Sequence, residues 1–104
     1  MKKTKTRAKI KSDAPTQLRK IRQKISKIDR QIAKLCSARL KLTGQVFTLK
    51  RREKMKLIDS QREQAVLLEY LQVLGAETST ARIKSLVQSV IELSPTYPKS
   101  KLFF

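Results

Sequence analysis

Histidine and tryptophan are absent from this chain, and cysteine occurs once. These absences exclude the common zinc sites, every histidine-dependent triad or proton shuttle, and a disulfide within the chain. Acidic residues are scarce as well: eight Asp and Glu stand against 25 Lys and Arg, a net charge of +17 over 104 residues. With two glycines and almost no β-branched alternation, a sheet protein is disfavoured. The basic opening, MKKTKTRAKIKS, is not followed by an apolar run of signal or membrane-spanning length. No leader and no span are therefore expected, and the lone Cys36 suits a reducing, cytoplasmic setting.

At 39% apolar residues the chain is too hydrophobic to be a disordered basic tail throughout, and its length suits one domain. Residues 1–15 read as a basic flexible arm, and residues 16–104 as a helical domain. Such an arm is either solubilising or a weak, non-specific contact for nucleic acid. No aromatic residue interleaves with its lysines, so base stacking has no support there.

From Leu18 to Leu49 the apolar residues fall at Leu18, Ile21, Ile25, Ile28, Ile32, Leu35, Leu42, Val46 and Leu49. Steps of three and four make a heptad seam on one long helix. It is expected to enter at Asp13-Ala14-Pro15-Thr16, with Asp13 or Thr16 as cap, and to run to about Arg52. At 1.5 Å per residue it would be about 54 Å long, far beyond the 13 Å radius of gyration of a chain of about 100 residues. Much of the seam must then meet another chain, which predicts a helical homodimer. Ser60-Gln61-Arg62-Glu63 has capping-box spacing and opens a second helix ending near Leu74, with Gly75 as stop. A third helix, capped in Thr78-Ser79-Thr80, shows an apolar face at Ile83, Leu86, Val87, Val90 and Ile91, extended by Ser94. Pro95 and Pro98 end it. The terminal Leu102-Phe103-Phe104 either packs on the dimer or is loose.

Arg39 occupies the gap in the seam, four residues after Leu35 and three before Leu42. A guanidinium facing a helical core is costly unless an anion meets it. Between Leu18 and Arg52 the only acidic residue is Asp29. The counter-charge therefore belongs either to a ligand or to an acidic residue across an interface. Lys50, eleven residues on, returns to within about 20° of the same face, roughly 16 Å along the axis. Arg22 is about 25 Å from Arg39 and about 100° off its face, so it can serve the same small ligand only from an antiparallel partner helix. The bland readings are strong for the others. Lys50-Arg51-Arg52 suits a helix C-terminus, and Asp59 and Glu63 suit a helix start.

The run from Leu18 to Glu63 resembles the all-helical class of chorismate mutases. The resemblance rests on IRQKISKIDRQIAKLCSARLKLTGQV, on Leu49-Lys50 and on DSQRE at Asp59–Glu63, with a shorter match around Ile83–Ser94. It implies an all-α fold of three helices, one very long, in an intertwined homodimer with two sites built from both chains. It implies an isomerase of the shikimate pathway, converting chorismate to prephenate without metal, cofactor or covalent intermediate. By position, Arg39 and the partner's Arg22 would bind the two substrate carboxylates. Lys50 would reach the ether oxygen, and Glu63 would accept the ring hydroxyl. Asp59 and Arg62 would shape that wall, with Ser94 near a carboxylate.

The chain departs from the family pattern at Pro98, where a Gln or Glu ordinarily donates to the ether oxygen. Thr96, Tyr97 and Lys99 are the neighbouring substitutes. Loss of such a donor costs on the order of 10²–10³ in rate, which implies a slow mutase or a relative that keeps the pocket without the reaction. Two other readings stand beside it: an isochorismate pyruvate lyase on the same fold, disfavoured by Glu63, and a non-catalytic basic helical dimer that binds a polyanion.

Overall fold

A computed structural model of the chain describes residues 2–98, with side chains described from Asp13 onward. The described residues are all-helical: α1 Lys2–Arg52, α2 Ser60–Leu74 and α3 Thr80–Glu92. Among them, no helix is long and apolar enough to cross a membrane. The Leu-Phe-Phe end lies outside the described residues.

The chain divides into two compact units, Met1–Leu35 and Cys36–Phe104. Within the first, the helix entry expected at Asp13–Thr16 does not occur. The α-helix is continuous from Lys2 and takes in Pro15. Proline there forfeits one bond to the carbonyl four residues earlier, and the flanking turns keep the helix going. The seam residues of this unit, Leu18 to Leu35, are 46–69% exposed, so their apolar face is unpartnered in a single chain.

The second unit holds the core. Ile83, 1% exposed, and Val87 from α3 bury against Val66 of α2. Leu67, Tyr70, Leu71, Leu74 and Ile91 close around them. The expected α3 face is observed with one correction. Leu86 is exposed, because the stripe that meets α2 is centred on Ile83 and Val87, and Leu86 lies to one side of it. Gly75 is the expected stop of α2, but in right-handed conformation, φ −58°. Its role is close approach: a Cβ at Gly75 would lie 2.5 Å from the Leu71 carbonyl oxygen.

The end of α1 directs everything after it. Lys54 has φ 56°, the left-handed region. The Met55 amide donates to Lys50 O at 2.7 Å and the Lys54 amide to Arg51 O at 3.2 Å. This is a Schellman motif with lysine where glycine is usual. The caps of α2 and α3 are also local. Asp59, not Ser60, caps α2, its Oδ1 accepting from the Arg62 amide at 3.0 Å. Ser79 caps α3 by accepting from the Arg82 amide at 3.2 Å. The cap of α2 falls one residue before the box spacing predicts, because Asp59 already reaches the amide three residues on.

Two outcomes are expected in thermal or urea unfolding. Lys54→Gly stabilises by about 0.5–1 kcal/mol, since glycine relieves the left-handed strain at some entropic cost. Ile83→Ala destabilises by about 2–5 kcal/mol, the range for emptying a fully buried aliphatic site.

Candidate functional site

Cations from the last turns of α1 line one side of a cleft in the second unit. The cleft has a volume of about 290 Å³. Arg39, Thr43, Val46, Phe47 and Lys50 contribute from α1. Asp59, Arg62, Glu63 and Val66 contribute from the start of α2, with Leu57, Ile91 and Tyr97 completing the wall. Arg39 and Lys50 thus share one cavity, as the eleven-residue spacing anticipates.

Both cations are half-buried, and the hydrogen bonds they make are to neutral backbone groups. Arg39 Nη1 donates to the carbonyl of Val90, near the C-terminus of α3, at 3.4 Å. Lys50 Nζ donates to the carbonyl of Leu57 at 3.1 Å. Among the described residues neither is ion-paired; Arg52 pairs with Glu53 outside the cleft. A guanidinium has five donors and an ammonium three, so one carbonyl bond apiece leaves donor capacity directed at the cleft. The carbonyl contacts are also structural, since they tie α1 to α3 and to the loop before α2.

The two acids of the cleft are differently placed. Asp59 is committed to the α2 cap. With the cap at Asp59, Glu63 falls one residue beyond the capping-box position. Its amide makes the first helical bond, to Asp59 O at 3.0 Å, while its side chain is released to the cleft wall. There Glu63 Oε2 accepts from the Tyr97 hydroxyl at 2.9 Å. Arg62, at the third position of α2, is exposed at the rim.

Ser94, expected to extend the α3 face, leaves the helix under the bias of Pro95. Helix α3 ends at Glu92 with Leu93 as its C-cap, so Ser94 lies in the turn that follows rather than on the helix. It is 4% exposed, its Oγ is 2.9 Å from Thr96 Oγ1, and it does not line the cleft. Pro95 is the reason, since it disfavours helical backbone at Ser94. Arg22 is on α1 in the first unit, beside a hollow of about 530 Å³ bounded by Pro15–Arg30 of that helix alone. One helix surface has no opposing wall and is no binding site by itself.

Of the three substitutes for the missing donor, Tyr97 lines the cleft, Thr96 is bonded to Ser94, and Lys99 lies outside the described residues. Phe47 was not anticipated. Its ring meets Tyr97 edge-on, with centroids 6.3 Å apart and an interplanar angle of 82°, and the Arg51 guanidinium stands 5.9 Å from the Phe47 centroid. The available signal was an aromatic three and four residues before Lys50 and Arg51, close enough on a helix to touch both. Among the described residues no cluster of His, Cys, Asp or Glu could hold a metal ion.

The dual use of Asp59 separates by substitution. Asp59→Ala is expected to cost about 0.5–2 kcal/mol in thermal unfolding through loss of the cap, while Asp59→Asn stays within a few tenths. Any effect on ligand binding common to both variants then reports on the charge rather than the cap.

Comparison with known proteins gives one positive finding. The family model for chorismate mutase type II matches residues 21–97. No curated protein and no solved structure matches the chain.

Proposed function

This chain belongs to the chorismate mutase type II family, and on that premise we propose that it isomerises chorismate to prephenate in the cleft bounded by Arg39, Lys50 and Glu63. One observation carries this reading. Two half-buried cations share one small cavity, and each is hydrogen-bonded to a neutral carbonyl. A dicarboxylate ligand supplies the anion they lack.

The rearrangement breaks a C–O bond and forms a C–C bond in one step, without nucleophile or obligatory proton transfer. Catalysis then consists of holding the dianion in its reactive conformer and placing positive charge where the ether oxygen gains electron density. Arg39 takes a carboxylate through its planar fork. Lys50, a compact charge, serves the ether oxygen. Glu63 accepts the ring hydroxyl, with Asp59 and Arg62 at the same wall. Ser94, assigned to a carboxylate by family position, has to turn toward the cleft to serve, since it does not line it. Arg22 completes the site from the partner chain. The exposed apolar seam of α1, 46–69% exposed from Leu18 to Leu35, supports the intertwined dimer this requires. The free thiol of Cys36 supports cytoplasmic residence.

With Pro98 at the donor position, turnover is expected to be on the order of 10²–10³ below that of a site with its full donor set. Purified protein is expected to form prephenate from chorismate, followed by loss of chorismate absorbance. Arg39→Ala lowers kcat/KM at least about 10²-fold while circular dichroism remains helical, and Arg39→Lys recovers only part, because the two-pronged geometry is gone. A wild-type rate no faster than the uncatalysed reaction rules the proposal out.

The polyanion-binding reading draws on the +17 charge. Deletion of residues 1–11 separates the two: mutase activity is expected to survive it, while any salt-sensitive binding to nucleic acid weakens.

A further inference from the structure

Tyr97 is buried, 6% exposed, although it lies past the end of α3 in a segment bracketed by Pro95 and Pro98. Contacts from three directions hold it. Its amide donates to Ser94 O at 3.0 Å, closing a turn. Arg51 Nη2 donates to the Thr96 carbonyl at 3.1 Å and straps that turn to α1. The Phe47 ring meets the phenol edge-on. Its hydroxyl is thereby delivered to Glu63 Oε2 at 2.9 Å, on the cleft wall. A helix ended by Pro95 cannot present another turn of side chains to the cleft. The returning segment presents Tyr97 instead.

We propose that Tyr97 is a positioning residue for Glu63: its phenol fixes the carboxylate plane so that the acid is set to receive the substrate's ring hydroxyl. The inference rests on the mutase reading and adds a residue to it. A glutamate side chain on the first turn of a helix has several rotamers within reach of the cleft. A phenol anchored by Phe47 and by the strapped turn selects among them. Because a carboxylate accepts several hydrogen bonds, the phenol and a substrate hydroxyl can share it. The ring hydroxyl is not at a bond that forms or breaks. Its interaction with Glu63 is therefore nearly equal in ground and transition states, and losing its alignment weakens binding more than it slows chemistry.

The test is steady-state kinetics of Tyr97→Phe, which keeps the ring and deletes the hydroxyl. KM for chorismate is expected to rise about tenfold or more, the scale of one hydrogen bond to a charged group, with kcat within about threefold. Affinity for a dicarboxylate analogue lacking the ring hydroxyl stays within about twofold, a readout that a merely structural role would not spare. In the Glu63→Gln background the same change adds less than about twofold to KM. An unchanged KM in Tyr97→Phe, or an equal rise in both backgrounds, overturns the proposal. Should Tyr97→Phe not fold, Tyr97→Gln and Tyr97→Leu are compared. Both lack the ring, and glutamine alone retains a donor, so its KM is expected to be at least about threefold lower; equal values overturn the proposal. A wild type that makes no prephenate overturns the mutase reading and this inference with it. A wild type that turns over beside an unaltered Tyr97→Phe overturns this inference alone.

Discussion

At Lys54 the backbone enters the left-handed region, φ 56°, and the course of the chain beyond α1 depends on that reversal. A lysine accepts this conformation at a cost of about 1–2 kcal/mol. The paired amide bonds to the carbonyls of Lys50 and Arg51 offset it by closing the helix end. The turn then carries Leu57 back over the last turn of α1, where its carbonyl meets the Lys50 ammonium at 3.1 Å. Two residues later Asp59 starts α2. The same few residues therefore end one helix, anchor one cleft cation and aim the next helix.

Electrostatics in the cleft follow from which partners are already taken. Asp59 spends its carboxylate on the Arg62 amide. Glu63 receives the Tyr97 phenol. Arg39 and Lys50 each donate to a main-chain carbonyl, those of Val90 and Leu57. These carbonyls carry partial negative charge, and the one at Val90 sits near the negative end of the α3 dipole. They hold the cations in place without neutralising them.

Much of this was legible along the chain, for physical reasons that differ by residue. The heptad seam showed one continuous helix through Leu18–Leu49 but not its start, which lies at Lys2 rather than at Asp13–Thr16, because apolar steps of three and four admit only a helix and do not mark where it begins. The spacing of Arg39 and Lys50 showed a shared face, because eleven residues close on three helical turns. The α2–α3 core was readable at Ile83 and Val87 and misread at Leu86, since periodicity defines a stripe but not its centre. The N-terminal cap of α2 was displaced by one residue, because Asp59 and Ser60 both satisfy cap chemistry and only backbone geometry chooses between them. Helix continuity through Pro15 likewise escaped a local rule, which counts the lost hydrogen bond but not the turns on either side.

The sequence alone thus determined the all-helical class, the cationic face of α1 and the family, since each is set by residue type and spacing along one helix or one motif. Tertiary structure alone decided how the segment after α3 joins the opposite wall. Pro95 and Pro98 announce that α3 stops, but not where the chain goes next. The destination is set by contacts distant in sequence: Arg51 on the Thr96 carbonyl, Phe47 on the Tyr97 ring, and the phenol on Glu63. Those pairs are 34–50 residues apart by their numbering. No local periodicity encodes a contact of that span, because periodicity relates residues on one helix and these contacts join separate elements.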